Sequence, residues 1–186
     1  MLNKHTQHGA ALITGLIFMV VLTLLAVAAM RTTSLDEKMA GNALNQDAAF
    51  QATEAALREG LLRTSTNVVN GSWTPASFVA GCVGGLCRPA TGATPIWVTI
   101  FPFGQTTQNA AAITYTGAAL LGVANQPQYI VERLQPDVQV PQSGQSCRQG
   151  PMGSGGCKAT PYRVTARGWG LAPEAQATTQ ATYLYY

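Results

Sequence analysis

Gly9-Ala10-Ala11-Leu12-Ile13-Thr14-Gly15-Leu16-Ile17-Phe18 opens a run that carries no charge until Arg31. As a helix rising about 1.5 Å per residue, a stretch of that length crosses a hydrocarbon core about 30 Å thick. The residues before it, 1–8, are short and polar and include Lys4. The positive-inside preference places that end in the cytoplasm and the rest of the chain across the membrane.

Helical character continues beyond the apolar run. No proline interrupts Leu35 to Arg63, where Ala, Leu, Glu, Arg and Gln dominate. Leu35, Met39, Ala43, Phe50, Leu57 and Leu61 recur at steps compatible with one helical face. Glu54 with Arg58, and Glu59 with Arg63, place i,i+4 charge pairs on the wetter side. The simplest reading is one helix over 10–63, its first part in lipid and its amphipathic part, 31–63, packed on the remainder. Polar residues 64–71 read as its end. Strand candidates follow at 96–103, 113–116, 128–134, 162–167 and 178–186, separated by Gly, Pro and Asn. Tyr129/Val131 and Tyr162/Val164/Ala166 alternate with polar neighbours, as half-buried antiparallel strands do. Residues 135–158 read as a long Pro/Gly/Ser loop. The fold class is therefore α+β, a long N-terminal helix on an antiparallel sheet, with 64–186 as a β-rich head of modest size.

Composition excludes several functions. Past Arg63 the chain carries nine charges, six of them basic, scattered over more than a hundred residues. Such a balance is too thin for a nucleic-acid footprint, which needs clustered Lys and Arg. Both histidines, His5 and His8, precede Gly9. A chain beginning at Ala10 would hold none, which removes His-based nucleophilic triads and His-liganded metals. Asp36 and Glu37 are adjacent on a helix and point apart, while Glu132 and Asp137 flank a strand end and read as structural charges. Gly84-Gly85 and Gly153-Ser154-Gly155-Gly156 lack the strand-to-helix context of a phosphate loop. No catalytic residue, metal or cofactor is expected. Trp73, Trp97, Trp169, Tyr183, Tyr185 and Tyr186 read mainly as core, with Trp169 the strongest candidate for a partner contact.

Four cysteines lie beyond the apolar run. Sequential pairing, Cys82–Cys87 and Cys147–Cys157, closes two Gly-rich loops, and an exported domain favours disulfides. A four-thiolate zinc site would call for C-x2-C knuckles, which neither pair has.

Two groups of residues carry a family resemblance. The opening Gly9-Ala10-Ala11-Leu12-Ile13 resembles the processing site of type IV prepilins, which are cut after the glycine. Arg31-Thr32-Thr33-Ser34-Leu35-Asp36-Glu37-Lys38-Met39-Ala40-Gly41-Asn42 and Ala49-Phe50-Gln51-Ala52-Thr53-Glu54-Ala55-Ala56-Leu57-Arg58 resemble the PilX-type minor pilins of type IV pili. Gln128-Tyr129-Ile130-Val131-Glu132-Arg133-Leu134 and Tyr162-Arg163-Val164-Thr165-Ala166-Arg167-Gly168-Trp169-Gly170 are similar to later motifs of that family. The likeness is close over 9–63, patchy over 128–170 and silent over 64–127. It implies the type IV pilin fold, with 1–9 a leader removed by prepilin peptidase and 10–30 the membrane and fibre-core helix. It also implies N-methylation of Ala10, inner-membrane residence with a periplasmic head, and then a place at the pilus tip. The implied partners are other minor pilins, the major pilin and a large tip adhesin, and the implied processes are pilus priming, adhesion and twitching motility. PilX-type proteins also resemble the K-type minor pseudopilins of type II secretion.

Thr14 departs from the ordinary pilin pattern. Most pilins carry glutamate at this fifth mature position, where it is thought to neutralise the N-terminal amine of the neighbouring subunit above. Threonine offers a hydrogen bond, most simply to its own helix, and no charge. A subunit with nothing above it needs none. Arg31 stands where many pilins have a helix-softening proline, so an unbroken helix is expected. The alternatives are a cleaved signal peptide ending at Ala26-Val27-Ala28 and an uncleaved, membrane-anchored binding module. The mass of the mature N-terminus separates them: methylated Ala10, free Ala29 or intact Met1.

Overall fold

The computed structural model describes residues 8–136, 138–140 and 157–185. They fall into two compact units, 1–43 and 44–186. Helix α1, His8–Val69, supplies residues to both. In the first unit its apolar side chains are exposed, among them Leu12, Ile17, Phe18 and Leu25. A surface so uniformly apolar requires lipid or neighbouring subunits to cover it.

The second unit packs the later part of α1 on a six-stranded sheet. Its strands are β1 (Leu86–Cys87), β2 (Ile113–Thr114), β3 (Gln128–Arg133), β4 (Val138–Val140), β5 (Cys157–Trp169) and β6 (Gln176–Tyr185). β3 and β5 pair antiparallel at the centre, with Val131 opposite Val164 and Glu132 opposite Arg163. β6 lines the far side of β5 over ten residue pairs. β2 and β4 are also antiparallel, and β1 alone runs parallel to its neighbour, β3. Five of the six strands thus follow the antiparallel expectation.

Several local expectations change. Helix α1 continues through Thr64 to Val69 because Thr64 is buried and donates its hydroxyl to the Gly60 carbonyl at 2.6 Å, while Val68 joins the core. It stops at Gly71, whose φ of +70° reverses the chain at little steric cost. The strand expected over 96–103 is instead a short helix, α2 (Ile96–Ile100). Pro95 caps it, and Ile96 and Ile100, one turn apart, are both buried. The loop expected over 135–158 contains β4 and the start of β5, which pair. β3 does not alternate between core and solvent, since residues 128–132 are all buried.

That last difference has a simple cause. Tyr129 and Val131 face α1 together with Val164, Ala166, Ala56 and Leu57. Ile130 packs on the opposite face with Ile96, Ile100, Phe101 and the Cys82–Cys87 pair. The segment between α1 and β3 forms a second layer, so β3 is covered twice.

Candidate functional site

Candidate functional residues of this chain lie on α1 and on the seam between its later part and the sheet. Gly9 and Ala10 belong to the first turns of the helix. Thr14 donates its hydroxyl to the Ala11 carbonyl at 3.1 Å, Thr23 to Val20 at 2.8 Å and Thr33 to Ala29 at 3.1 Å. Hydroxyls turned back on their own helix leave the outer surface to apolar groups. Among the described residues this is the one helix long and apolar enough to cross a membrane.

The seam is built from small residues. Ala49, Ala52, Thr53 and Ala56 are buried, whereas Phe50 is 49% exposed and Leu35 and Met39 lie open. The predicted stripe of large side chains is therefore not the buried face; only Leu57, with Leu61 beside it, belongs to both. The reason is close approach. A Cβ on Gly168 would stand 2.5 Å from the Thr53 nitrogen and 2.6 Å from the Ala49 oxygen. One on Gly60 would stand 2.6 Å from a Val164 methyl. Polar groups complete the contact. Thr53 Oγ1 donates to the carbonyls of Ala49 (2.7 Å) and Ala177 (3.1 Å), Asn45 Oδ1 accepts from the Ala172 amide (3.1 Å), and Gln46 Nε2 donates to the Gln176 carbonyl (3.1 Å).

Glu59 forms a latch further along α1. Its carboxylate accepts from the Thr116 amide and hydroxyl, both at 2.9 Å, from the Gly117 amide at 3.2 Å and from the Tyr129 hydroxyl at 3.1 Å. Arg63 lies 3.6 Å away. The pair read as a surface i,i+4 contact is therefore the anchor of the 116–117 loop, and with Glu132–Arg163 it makes up the ion pairs among the described residues. Burial raises the Glu59 carboxyl, but the Thr116, Tyr129 and Gly117 hydrogen bonds outweigh it and hold the group below its ordinary value. A folded-state value below the unfolded one means stabilisation that is present above the ordinary carboxylate range and is lost as pH falls through the folded value. Glu59→Gln is expected to destabilise the head by about 1–2 kcal/mol at neutral pH and to flatten the acid limb of its stability curve. Denaturant titrations from neutral to acid pH check both.

On the other face, Arg163 donates twice to Glu132 at 2.8 Å. That hydrogen bonding raises the guanidinium despite its burial. Glu132 is thus taken up by Arg163, and Asp137, its sequence-proposed companion, lies outside the described residues. Arg167, 1% exposed, donates to the carbonyls of Phe101 (2.7 Å) and Pro102 (2.6 Å) and lies over the Phe101 ring. It ties the second layer to β5. Trp169 is buried at 1% exposure and donates to the Gln105 carbonyl, so it is core and not a partner contact. Tyr183 packs against the core and Tyr185 is partly exposed. Cys82 and Cys87 form a disulfide with Cα atoms 4.3 Å apart, closing a turn in which Cys82 itself takes φ +61°. Cys157 opens β5, but Cys147 and hence the second predicted bridge lie outside the described residues. The sequence reading gave Glu59 only a surface charge pair with Arg63 and assigned no role to Arg167 or to the glycines of the seam. Gly168 and Gly170 around Trp169 were the available signal.

Two family models match the chain. The PilX N-terminal model covers residues 8–58, and that of the type IV pilus assembly protein PilX C-terminal region covers 83–185. The chain belongs to the PilX family. This PilX-family chain is a minor pilin of type IV pili, a structural component associated with other pilus proteins and not a member of a known enzyme family. The C-terminal match takes in residues 83–127, which had shown no resemblance, and these are the residues that build much of the second layer. No curated protein and no solved structure matches the chain significantly. An N-terminal apolar helix is compatible with anchoring such a pilin in the inner membrane.

Proposed function

We propose that this PilX-family subunit is cut after Gly9 by prepilin peptidase, methylated at Ala10 and held in the inner membrane with Lys4 cytoplasmic. It then joins other minor pilins to prime the fibre, ends at or next to the tip beneath a large adhesin, and so serves adhesion and twitching motility. The carrying observation is Thr14, whose hydroxyl is turned to the Ala11 carbonyl where other pilins present a carboxylate. A subunit below others gains from a carboxylate facing the N-terminal amine above it; a subunit at the top has no such amine to meet. Burying an unmatched carboxylate costs about 3 kcal/mol. Thr14→Glu is therefore expected to lower surface pilus number severalfold and to deplete this subunit from sheared fibres. Unchanged pilus number and tip composition would remove the support for tip placement.

A further inference from the structure

Most asparagine side chains among the described residues are held in place. Asn45 Oδ1 accepts from the Ala172 amide. Asn67 Nδ2 donates to the Arg63 carbonyl at 2.7 Å, Asn109 Nδ2 to that of Ile100 at 2.8 Å and Asn125 Nδ2 to that of Thr106 at 2.9 Å. Asn42 lies inside α1, with its backbone fixed by the helix and Ala43 after it. Asn70 differs from all of these. It is exposed, stands in the turn that follows α1, and its side-chain amide makes no hydrogen bond among the described residues. The next residue is Gly71, also exposed, with φ +70° and nothing within 4 Å of an added Cβ. The Gly71 nitrogen is restrained only by a hydrogen bond of 3.2 Å to the Val68 carbonyl.

We infer that Asn70-Gly71 is a site of spontaneous deamidation, at which the turn after α1 ages chemically. The Gly71 nitrogen attacks Asn70 Cγ, and the new C–N bond closes a succinimide ring. The side-chain nitrogen leaves as ammonia and takes up the proton that the Gly71 nitrogen gives up. Water then opens the ring at either carbonyl, leaving aspartate or isoaspartate. The sum is amide plus water to carboxyl plus ammonia, with nothing oxidised or reduced. Glycine suits the attack because no side chain shields its nitrogen and its backbone turns freely. Either product puts a negative charge at the C-terminal end of α1, where the helix dipole is already negative. Isoaspartate also adds a methylene to the main chain, inside the turn closed by the Trp73 amide donating to the Asn67 carbonyl. Trp73 packs against the core and edge-on to Phe78, so the exit from α1 into the second layer is loosened. The inference does not depend on the fibre role.

The test incubates the full-length protein in detergent at mildly alkaline pH, which favours the deprotonated nitrogen, and maps its peptides by mass. Position 70 is expected to pass from amide to carboxyl as a mixture of isoaspartate and aspartate, ahead of Asn42, Asn45, Asn67, Asn109 and Asn125. Asn70→Gln should abolish the signal, because the longer side chain must close a larger ring. Converted protein should melt below fresh protein. Asn70→Asp should fall between the two, since it carries the charge without the extra methylene. Position 70 left as amide, converted to aspartate without isoaspartate, or converted no faster than Asn42 overturns the inference. So does a glycan found on Asn70 through the Asn70-Gly71-Ser72 sequon, or an unchanged melting temperature after conversion.

Discussion

Arg163→Ala is expected to destabilise the head by about 3–5 kcal/mol, because it leaves the Glu132 carboxylate buried without a counter-ion. Glu132 is fully buried and Arg163 is 27% exposed along its side chain, so water reaches the arginine and not the acid. Removing the partner therefore strands the charge that has nowhere else to go. The pair itself need contribute little, since desolvating two ions offsets much of their attraction. Replacing both together, Glu132→Met with Arg163→Leu, should recover most of the loss. Denaturant titrations of the full-length protein in detergent would show this as a strong coupling between the two positions. A single change at Arg163 that cost under about 1 kcal/mol would mean that Glu132 is solvated after all.

Gly168→Ala and Gly170→Ala should each cost about 2–3 kcal/mol for a related reason, overpacking where nothing can yield. A Cβ at 168 meets backbone atoms of Thr53 and Ala49, and one at 170 meets the carbonyl and side-chain oxygens of Asn45. Backbone atoms held in a helix do not swing aside as a flexible side chain would. Gly41 supplies the contrast, with nothing within 4 Å of an added Cβ. Gly41→Ala should stabilise the helix by up to about 1 kcal/mol. Melting temperatures of the three variants, compared side by side, check the sign as well as the size.

These residues also show how far the sequence could be read. Gly168-Trp169-Gly170 is conspicuous as text, and the expectation attached to it concerned Trp169 as a contact for partners. The structure puts the indole in the core and gives the neighbouring glycines the decisive role, because a helix can only approach β5 closely where side chains are missing. Period-2 alternation found β3 and β5, and a β-rich run found β6, yet in β3 the alternation implied one wet face. The residues that cover Ile130 come from 82–112, a stretch whose own pattern is irregular. Ile96-Trp97-Val98-Thr99-Ile100 reads as strand by propensity, and becomes helix since one turn brings Ile96 and Ile100 to the same surface. The helix stripe failed for a different reason. Periodicity marks a face that could be buried, whereas Phe50, beside the sheet, stays half exposed because the small residues Ala49, Ala52, Thr53 and Ala56 make the close contact.

By itself the sequence determined the membrane-length apolar helix, its amphipathic continuation, the central strands, the Cys82–Cys87 bridge and the family likeness. All of these rest on runs, periods or short spacings, which are properties of neighbouring residues. Only the tertiary structure decided which helix face meets the sheet, that β3 is covered on both sides, that Glu59 and Arg167 tie layers together, and that Glu132 joins β3 to β5 through Arg163. Those outcomes depend on pairs some 30 to 130 residues apart, such as Glu59 with Thr116, Arg167 with Phe101 and Gln46 with Gln176. No local pattern carries that information, because the energy resides in the contact and not in either partner.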